Sequence, residues 1–329
     1  MSDSEKGGTP RHRLRVVGGD GGGTRLRLAL ADGAGRVLAR RTGPPGLVEP
    51  GREGAAAARV AAELTALAAE TGAPLPVDAL CVGLAGVGRP ERARRVQEAL
   101  VAARVAHRVQ VVTDAAVALR DAFGAGPGIL LIAGTGSVAL ARDVHGGVRR
   151  TGGWGALLGD EGSGYGLGLG GLRAALRGWE GRGPGTSLSA ELVRALGVTT
   201  PADFLPWTEG AGKGEVAALA PLVIRSAQEG DRVARELVEA ALAALVAHVE
   251  ALSRPPASGD PLQGAVQGSA GPNGELRLPI ALAGGLLSPG GPLRDAILAL
   301  LTTRGFPVRE GPVDAARGGV ELALASLSN

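Results

Sequence analysis

Aromatic residues and lysine are both scarce in this chain. Phe, Trp and Tyr make up 2% of its 329 residues, and Lys6 and Lys213 are its only lysines, so most of the positive charge is arginine interspersed with acids. Interspersed charge is typical of a solvated surface, whereas nucleic-acid binding favours basic clusters with stacking aromatics. The composition therefore predicts an aliphatic core and no nucleic-acid partner.

Cysteine is nearly absent, and Cys81 is the only one. A single cysteine excludes an internal disulfide, a cysteine-based zinc site and a cysteine-ligated iron–sulfur cluster within one chain. Cys81 lies in an apolar segment, where packing is its expected role.

Long apolar segments are also missing. The N-terminus, MSDSEKGGTPRHR, has no apolar core of a secretory signal, and no apolar run has the length of a membrane span. We therefore expect a cytoplasmic protein without a membrane partner, and we interpret residues 1–13 as a disordered tail.

The length of the chain indicates about two domains. Hydrophobic periodicity predicts the order βββαβαβα for the first of them. The predicted strands cover 14–17, 25–30, 36–41, 79–84 and 109–112, and the predicted helices cover 52–72, 91–104 and 115–123.

A glycine-rich hinge at 124–127 divides the predicted domains, giving a first domain over 14–123 and a second over 124–312. A C-terminal helix over 313–329 is expected to pack back on the first domain. Predicted helices over 166–180, 187–196, 214–229 and 231–253 make the second domain mostly helical. Residues 254–276 are rich in Pro, Gly and Ser, which predicts a mobile surface insertion.

Two glycine-rich turns suggest phosphate binding. Ile129–Ala133 and Val138–Ala141 are apolar strands that flank Gly134-Thr135-Gly136-Ser137, a turn whose backbone N–H groups carry almost no side-chain bulk. A similar turn over 18–24 leads into a strand, because residues 25–30 alternate strictly between polar and apolar. This alternation argues against a dinucleotide-binding fingerprint, whose glycines open a helix. The GAGKG segment at 210–214 lacks the spacing and the preceding strand of a P-loop.

Five short motifs occur in a characteristic order and spacing: DGGGT at 20–24, TDA at 113–115, GTGS at 134–137, GGWGALLGDEGSG at 152–164 and AGG at 283–285. Together they resemble the BadF/BadG/BcrA/BcrD ATPase family and, within it, the N-acetylglucosamine kinases of the actin/Hsp70/hexokinase superfamily. The resemblance covers about residues 14–327. It implies an α/β, two-domain, ribonuclease H-like fold with an interdomain cleft.

The resemblance also implies roles for individual residues. Asp20 would hold Mg²⁺ through water, and Asp114 would be the catalytic base beside the acceptor hydroxyl. The nucleotide-binding residues would be Gly21, Gly22, Gly23, Thr24, Gly134, Thr135, Gly136, Gly284 and Gly285. The sugar-binding residues would be Asp114, Thr135, Gly136, Ser137, Trp154, Gly155 and Asp160. The loop Gly43-Pro44-Pro45-Gly46 lacks the asparagine that this family commonly has there, which leaves the sugar open.

Structural alternatives exist for the acidic residues. Asp114 is placed to cap the helix 115–123, and capping and catalysis are compatible. Asp160 and Glu161 could act as acids that stabilise a helix N-terminus. We favour sugar binding for Asp160 and leave Glu161 open. Trp154 lies among glycines, and the residues around it show no periodic pattern of apolar side chains, so we expect it to be exposed or to face a ligand.

The predicted function is an ATP- and Mg²⁺-dependent kinase that phosphorylates N-acetylglucosamine or glucosamine on the 6-hydroxyl. The alternative is an ATPase of the same family that acts as an activator or a sugar-sensing regulator without kinase turnover. An activator needs cysteines for a cluster at a dimer interface, and a regulator needs a DNA-binding module that thirteen N-terminal residues do not provide. Sequence leaves oligomeric state open, with a homodimer as one option.

Overall fold

The computed structural model describes residues 14–254 and 277–328. The predicted tail over 1–13 and all but the first residue of the predicted insertion over 254–276 lie outside the described residues. The chain divides into two compact units, which are both α/β in structure. Unit 1 comprises the residues up to Ala125 together with those from Asp314 onward, and unit 2 runs from Gly126 to Val313.

Unit 1 contains a five-stranded sheet in the order β3-β2-β1-β4-β5. Its strands are β1 (Arg15–Gly21), β2 (Leu26–Asp32), β3 (Val37–Gly43), β4 (Val77–Leu84) and β5 (Ala106–Thr113). Its helices are α1 (Glu53–Thr71), α2 (Pro90–Ala102), α3 (Asp114–Phe123) and α12 (Ala315–Leu327). The β1–β2–β3 meander is antiparallel, whereas β1, β4 and β5 run parallel.

The helix α12 approaches both the sheet and the helix α3 of unit 1 unusually closely, because glycine lies at each contact. A Cβ atom at Gly18 of β1 would lie 2.1 Å from the carbonyl oxygen of Ala316, and one at Gly318 would lie 1.9 Å from that of Val117 in α3. Only glycine allows the two backbones to come this close. The C-terminal helix is therefore built into unit 1.

Unit 2 contains a four-stranded sheet in the order β8-β7-β6-β9, with β6 and β9 parallel and the other pairs antiparallel. This order repeats that of the first four strands of unit 1. The strands are β6 (Gly128–Ala133), β7 (Ser137–Arg142), β8 (Val148–Gly152) and β9 (Ile280–Ala283). The helices are α4 (Gly155–Leu158), α5 (Gly164–Trp179), α6 (Leu188–Leu196), α7 (Phe204–Gly210), α8 (Lys213–Ala217), α9 (Ala220–Gln228), α10 (Arg232–Ser253) and α11 (Arg294–Thr303).

Some boundaries differ from the sequence-based prediction. Asp20 and Gly21 belong to β1 rather than to the turn, because Asp20 pairs with Arg27 of β2 and with Gly83 of β4. The single helix predicted over 214–229 is wrong. It is interrupted between α8 and α9, where Pro221 lies at the start of the new helix, since proline cannot continue an α-helix.

The cores are aliphatic, as the composition suggests. Buried Ala, Val, Leu and Ile side chains pack on both sheets, and Phe204 and Phe306 are the buried aromatic side chains of the described residues. Cys81 is fully buried in β4, and burial raises the pKa of its thiol to about 12. It is therefore an unreactive packing residue.

Candidate active site

The carboxyl ends of β1 and β5 place two predicted acidic residues at one edge of the unit 1 sheet. Asp20 of β1 is in register with Gly83 of β4, and the next residue of β4, Leu84, is in register with Thr113 of β5. Asp114 follows Thr113 directly. Two strand spacings separate the strands of Asp20 and Asp114, which corresponds to about 10 Å.

Asp20 is largely buried and only weakly compensated. Burial raises the pKa of Asp20 from 3.8 to about 6, with Arg27 opposing the rise and the charge of Asp114 adding to it. The Arg27 Nη1 atom lies 3.3 Å from Oδ2 of Asp20, and the Arg27 side chain is itself half exposed. The position therefore disfavours an isolated negative charge and would favour a cation beside it.

The loop after Asp20 is open on its outer side. Gly22 N–H donates to the Arg25 carbonyl (3.0 Å), and Gly46 N–H donates to the Gly22 carbonyl (3.0 Å). A Cβ atom at Gly22 or Gly23 would meet nothing within 4 Å. Gly23 and Thr24 are exposed. The packing of unit 1 thus does not require glycine at residues 22 and 23. A ligand that lies against this backbone would require it.

Asp114 does not cap the helix α3, so the capping alternative is wrong. Thr113 is the cap, because its side chain accepts a hydrogen bond from Ala116 N–H (3.2 Å). The Oδ1 atom of Asp114 accepts from Ala115 N–H (2.9 Å), which leaves Oδ2 for another partner. Burial raises the pKa of Asp114 above its ordinary value, while the backbone hydrogen bonds lower it by less.

In unit 2, the Gly134–Ser137 turn between β6 and β7 is held by the N-terminus of α5. Gly164 N–H donates to the Gly134 carbonyl (2.7 Å), and Tyr165 N–H donates to the Thr135 carbonyl (3.2 Å). The Thr135 side chain is exposed. These hydrogen bonds fix the turn through its carbonyl groups, and within the turn Gly134 N–H donates to the Gly136 carbonyl (2.9 Å).

Asp160 reaches the same turn from the segment before α5. Its backbone has a positive φ of 65°, which is uncommon outside glycine. Its Oδ1 atom accepts from Ser137 N–H (3.2 Å). Ser163 is the cap of α5, accepting from Gly166 N–H (3.1 Å), so the alternative that Asp160 stabilises this helix end is wrong.

Ser137 and Trp154, two further predicted sugar contacts, already interact with other residues of unit 2. The Ser137 hydroxyl is buried and donates to the Glu161 carbonyl (2.6 Å), so its proton is already engaged. Glu161 itself is exposed. Trp154 is 64% exposed, and the Arg150 guanidinium lies 4.6 Å from its ring centroid. The exposure of Trp154 confirms the expectation from its glycine-rich surroundings, and its sugar contact stays a prediction.

Gly284 and Gly285 lie beside the Gly134 turn. Gly284 has a φ of 89°, and a Cβ atom there would lie 2.3 Å from the Ala133 carbonyl oxygen. The Leu286 N–H donates to that same oxygen (3.0 Å). The backbone of this segment can therefore follow the end of β6 only because residue 284 is glycine.

Lys213 is the residue that sequence reasoning missed. Its Nζ atom lies 2.5 Å from Oδ2 of Asp160, which is only 3% exposed. GAGKG was rejected as a P-loop, and the structure agrees, since the segment joins two short helices, α7 and α8. The available signal was the scarcity of lysine in an arginine-rich chain.

The described residues thus group the predicted site residues unit by unit. Unit 1 brings Asp20, the Gly22–Thr24 backbone and Asp114 to one sheet edge, and unit 2 brings together the Gly134–Ser137 turn, Asp160, Lys213 and Gly284-Gly285. Residues 14–254 and 277–328 contain no cluster of three or more His, Cys, Asp or Glu side chains that could hold a metal. Within the same residues, no helix is long and apolar enough to cross a membrane.

Comparison with known proteins identifies relatives over most of the chain. The model of the BadF/BadG/BcrA/BcrD ATPase family matches residues 17–279. An N-acetyl-D-glucosamine kinase of Dictyostelium discoideum is 32% identical over 240 residues, covering 68% of this chain and 75% of that kinase. An N-acetylmuramic acid/N-acetylglucosamine kinase of Clostridium acetobutylicum is 32% identical over 176 residues, which cover 53% of this chain and 58% of that enzyme. The latter match therefore spans less than two thirds of the relative.

Solved structures agree with these relatives. A candidate N-acetylglucosamine kinase of Chromobacterium violaceum has a TM-score of 0.74 at 28% identity, covering 95% of this chain and 99% of that one. A ROK family glucokinase of Streptomyces griseus shares the fold, with a TM-score of 0.51 at 16% identity. The resemblance inferred from the motifs is confirmed, and the chain belongs to the BadF/BadG/BcrA/BcrD ATPase family.

Proposed function

We propose that this protein is an ATP-dependent kinase that phosphorylates the 6-hydroxyl of an amino sugar, N-acetylglucosamine or glucosamine. The observation that carries the proposal is the sheet edge of unit 1. It places a half-buried carboxylate, Asp114, near a second half-buried carboxylate, Asp20, and an open glycine backbone follows Asp20. The similarity to N-acetylglucosamine kinases supports the substrate class.

The nucleotide is assigned to the glycine backbones. Gly21–Thr24 and Gly134–Gly136 are the proposed contacts of the phosphates, and Gly284-Gly285 would contact the nucleoside. The N–H groups of Gly22 and Gly134 already donate to the carbonyls of Arg25 and Gly136, so the other N–H groups of the two turns are the proposed donors to phosphate oxygens. Phosphoryl transfer depends mainly on positioning and on stabilising the charge of the phosphoryl oxygens. Backbone donors held by the hydrogen bonds described above are suited to this task because they need no reorganisation.

Asp20 is the residue assigned to Mg²⁺, and its surroundings fit the ion. Mg²⁺ commonly keeps several waters and takes one or two carboxylates together with substrate phosphates. A single carboxylate beside an open glycine loop matches that donor set, and the raised pKa of Asp20 indicates that a nearby cation would be favourable. When bound, Mg²⁺ would supply charge neutralisation for the phosphates.

Asp114 is assigned as the base. The acceptor oxygen attacks the γ-phosphorus, a new O–P bond forms, and the bond from phosphorus to the bridging oxygen breaks, so that ADP leaves with that electron pair. The hydroxyl proton goes to Oδ2 of Asp114, since Oδ1 already accepts from Ala115 N–H. A pKa raised by burial makes this carboxylate a better proton acceptor than an exposed aspartate.

The residues that the family resemblance assigns to the sugar stay its proposed contacts. They are Asp114, Thr135, Gly136, Ser137, Trp154, Gly155 and Asp160. Gly46, in the loop without the expected asparagine, instead supports Gly22 through its N–H. N-acetylmuramic acid is therefore a further candidate acceptor, because one similar protein is an N-acetylmuramic acid/N-acetylglucosamine kinase.

The alternative, a family ATPase without kinase turnover, has less support. Cys81 is fully buried and cannot ligate a cluster at a surface, which argues against an activator role. The homodimer and the cytoplasmic location both stay predictions.

A coupled ADP-release assay tests the proposal. The purified protein with Mg²⁺-ATP should turn over with N-acetylglucosamine or glucosamine, and far less with glucose, N-acetylmannosamine or water. N-acetylmuramic acid would reveal a broader specificity. ATP hydrolysis that no sugar accelerates would instead favour the ATPase alternative.

A further inference from the structure

The ion pair between Lys213 and Asp160 has an unusual geometry. The Oδ2 atom of Asp160 is buried and accepts no hydrogen bond within the described residues, although the Lys213 ammonium lies 2.5 Å away. Its other oxygen, Oδ1, accepts from Ser137 N–H. The ammonium therefore supplies charge to Asp160 without a well-directed hydrogen bond.

The same ammonium lies against the Gly134–Ser137 turn. A Cβ atom at Gly136 would lie 3.1 Å from Nζ of Lys213 and 2.6 Å from Oδ1 of Asp160. Gly136 is thus glycine partly because these two side chains occupy the space of its side chain. A cation directly beside a backbone proposed to hold phosphate is well placed to contact that phosphate.

The backbone of Lys213 is anchored, whereas its side chain can move. Lys213 begins α8, where the preceding Gly212 N–H donates to Oε2 of Glu215 (2.7 Å). The helix α8 packs closely on α5, since a Cβ atom at Gly168 would lie 2.0 Å from the Val216 carbonyl oxygen. The Lys213 side chain is 38% exposed. It can therefore exchange partners without movement of the helix.

We propose that Lys213 binds the γ-phosphoryl group of ATP and is exchanged between that group and Asp160. This inference rests on the proposed kinase function. In the free protein the ammonium balances the Asp160 carboxylate. When ATP lies on the Gly134–Ser137 turn, the ammonium moves to the phosphoryl oxygens, and Oδ2 of Asp160 becomes available to a hydroxyl of the acceptor sugar. Lys213 forms no covalent bond and exchanges no proton in this step.

Comparing ATP with ADP by calorimetry tests the inference without relying on turnover. Charge-assisted hydrogen bonds are strong enough that K213M should weaken ATP binding by about tenfold or more. ADP affinity should change less than about twofold, because ADP lacks the γ-phosphoryl group. K213R should retain part of the preference for ATP. The matched control R225M removes an exposed cation of α9 and should leave both affinities unchanged.

A double variant separates phosphate binding from simple charge balance. If Lys213 only neutralises Asp160, D160N should restore ATP affinity in the K213M background, since the unpaired buried carboxylate is gone. We expect the loss of ATP affinity to persist in K213M/D160N. The double variant also decides the question if K213M alone is too unstable to measure.

Three results would overturn the inference: unchanged ATP affinity in K213M, an equal loss for ADP and ATP, or recovery of ATP affinity in the double variant. A wild-type protein that binds ATP but phosphorylates no sugar would refute the kinase function and still leave the ATP–ADP comparison decisive. A wild-type protein that binds no ATP would refute both.

Discussion

Replacing Asp20 by asparagine should stabilise the metal-free protein at neutral pH. The pKa of Asp20 rises from 3.8 to about 6 in the folded protein, chiefly because of burial. Each pKa unit corresponds to about 1.4 kcal/mol, so ionising Asp20 in the folded state costs about 3 kcal/mol. Asparagine has nearly the same shape and carries no charge, so D20N avoids this cost.

The pH dependence has a defined sign. Below pH 3.8, Asp20 is protonated in both the folded and the unfolded chain and costs nothing. Between pH 3.8 and about 6 the folded protein binds more protons than the unfolded chain, so its stability falls as the pH rises. Above this window the full cost applies. The advantage of D20N should therefore be small near pH 4, about 0.5 kcal/mol, and approach about 3 kcal/mol at pH 8.

Urea unfolding in EDTA, followed by far-UV circular dichroism, measures this difference. Trp154, Trp179 and Trp207 are the only tryptophans, and all lie in unit 2, so tryptophan fluorescence provides an internal control for the unit without the mutation. D32N is the matched control within unit 1. Desolvation alone would raise the pKa of Asp32, but the N–H groups of Arg36 and Ala34, with the Arg36 charge, lower it. D32N should therefore destabilise the protein at neutral pH.

Equal stability of D20N and wild type at pH 8 would refute the reasoning. It would mean that Asp20 is solvated in the free protein and that its surroundings do not require a cation. A gain that did not depend on pH would assign the effect to something other than the carboxylate charge.

Two further variants test the assigned roles in unit 1. D114N should lower kcat by about 10²–10⁴ in steady-state kinetics and retain its stability in urea unfolding. T113A should lose about 1 kcal/mol of stability, because the cap of α3 is removed, and should keep near wild-type kcat. In the wild type, kcat should fall as the pH drops through the raised pKa of Asp114, because the base becomes protonated. A D114N variant with wild-type turnover would exclude the role of Asp114 as the base. G22V should fold normally, because a Cβ atom at residue 22 meets nothing in unit 1, and it should lose ATP affinity in calorimetry. The control G18V should unfold the protein, because a Cβ atom at residue 18 would lie 2.1 Å from a backbone oxygen. G22V with unchanged ATP affinity would remove this loop from the phosphate site.

Local patterns predicted much of the fold. The strict alternation over residues 25–30 predicted β2, and the apolar runs on either side of Gly134–Ser137 predicted β6 and β7, because the period of a strand is visible within six residues. The strand β8 was not predicted, since its sequence VRRTG carries two arginines and little apolar signal. Its pairing with β7 comes from the tertiary structure.

Side-chain partners were harder to predict than elements. The motif TDA placed Asp114 at the start of α3, yet sequence alone could not decide whether Asp114 or Thr113 capped the helix. The Lys213–Asp160 contact joins residues that are 53 positions apart, as their residue numbers show. Such a contact depends on how α8 packs on α5, which no local pattern reveals. The phosphate-binding hypothesis also suggests the variant G136V. Its side chain would displace Asp160, so G136V is not a specific test of phosphate binding.

Identification of the product tests the central claim most directly. The wild-type protein is incubated with Mg²⁺-ATP and N-acetylglucosamine or glucosamine, and the products are analysed by ³¹P–¹H correlation NMR. The account predicts one phosphomonoester coupled to the two protons on C6, formed in equal amount with ADP, and its near absence with D114N. ADP accompanied only by inorganic phosphate, or a sugar phosphate formed equally well by D114N, would contradict it.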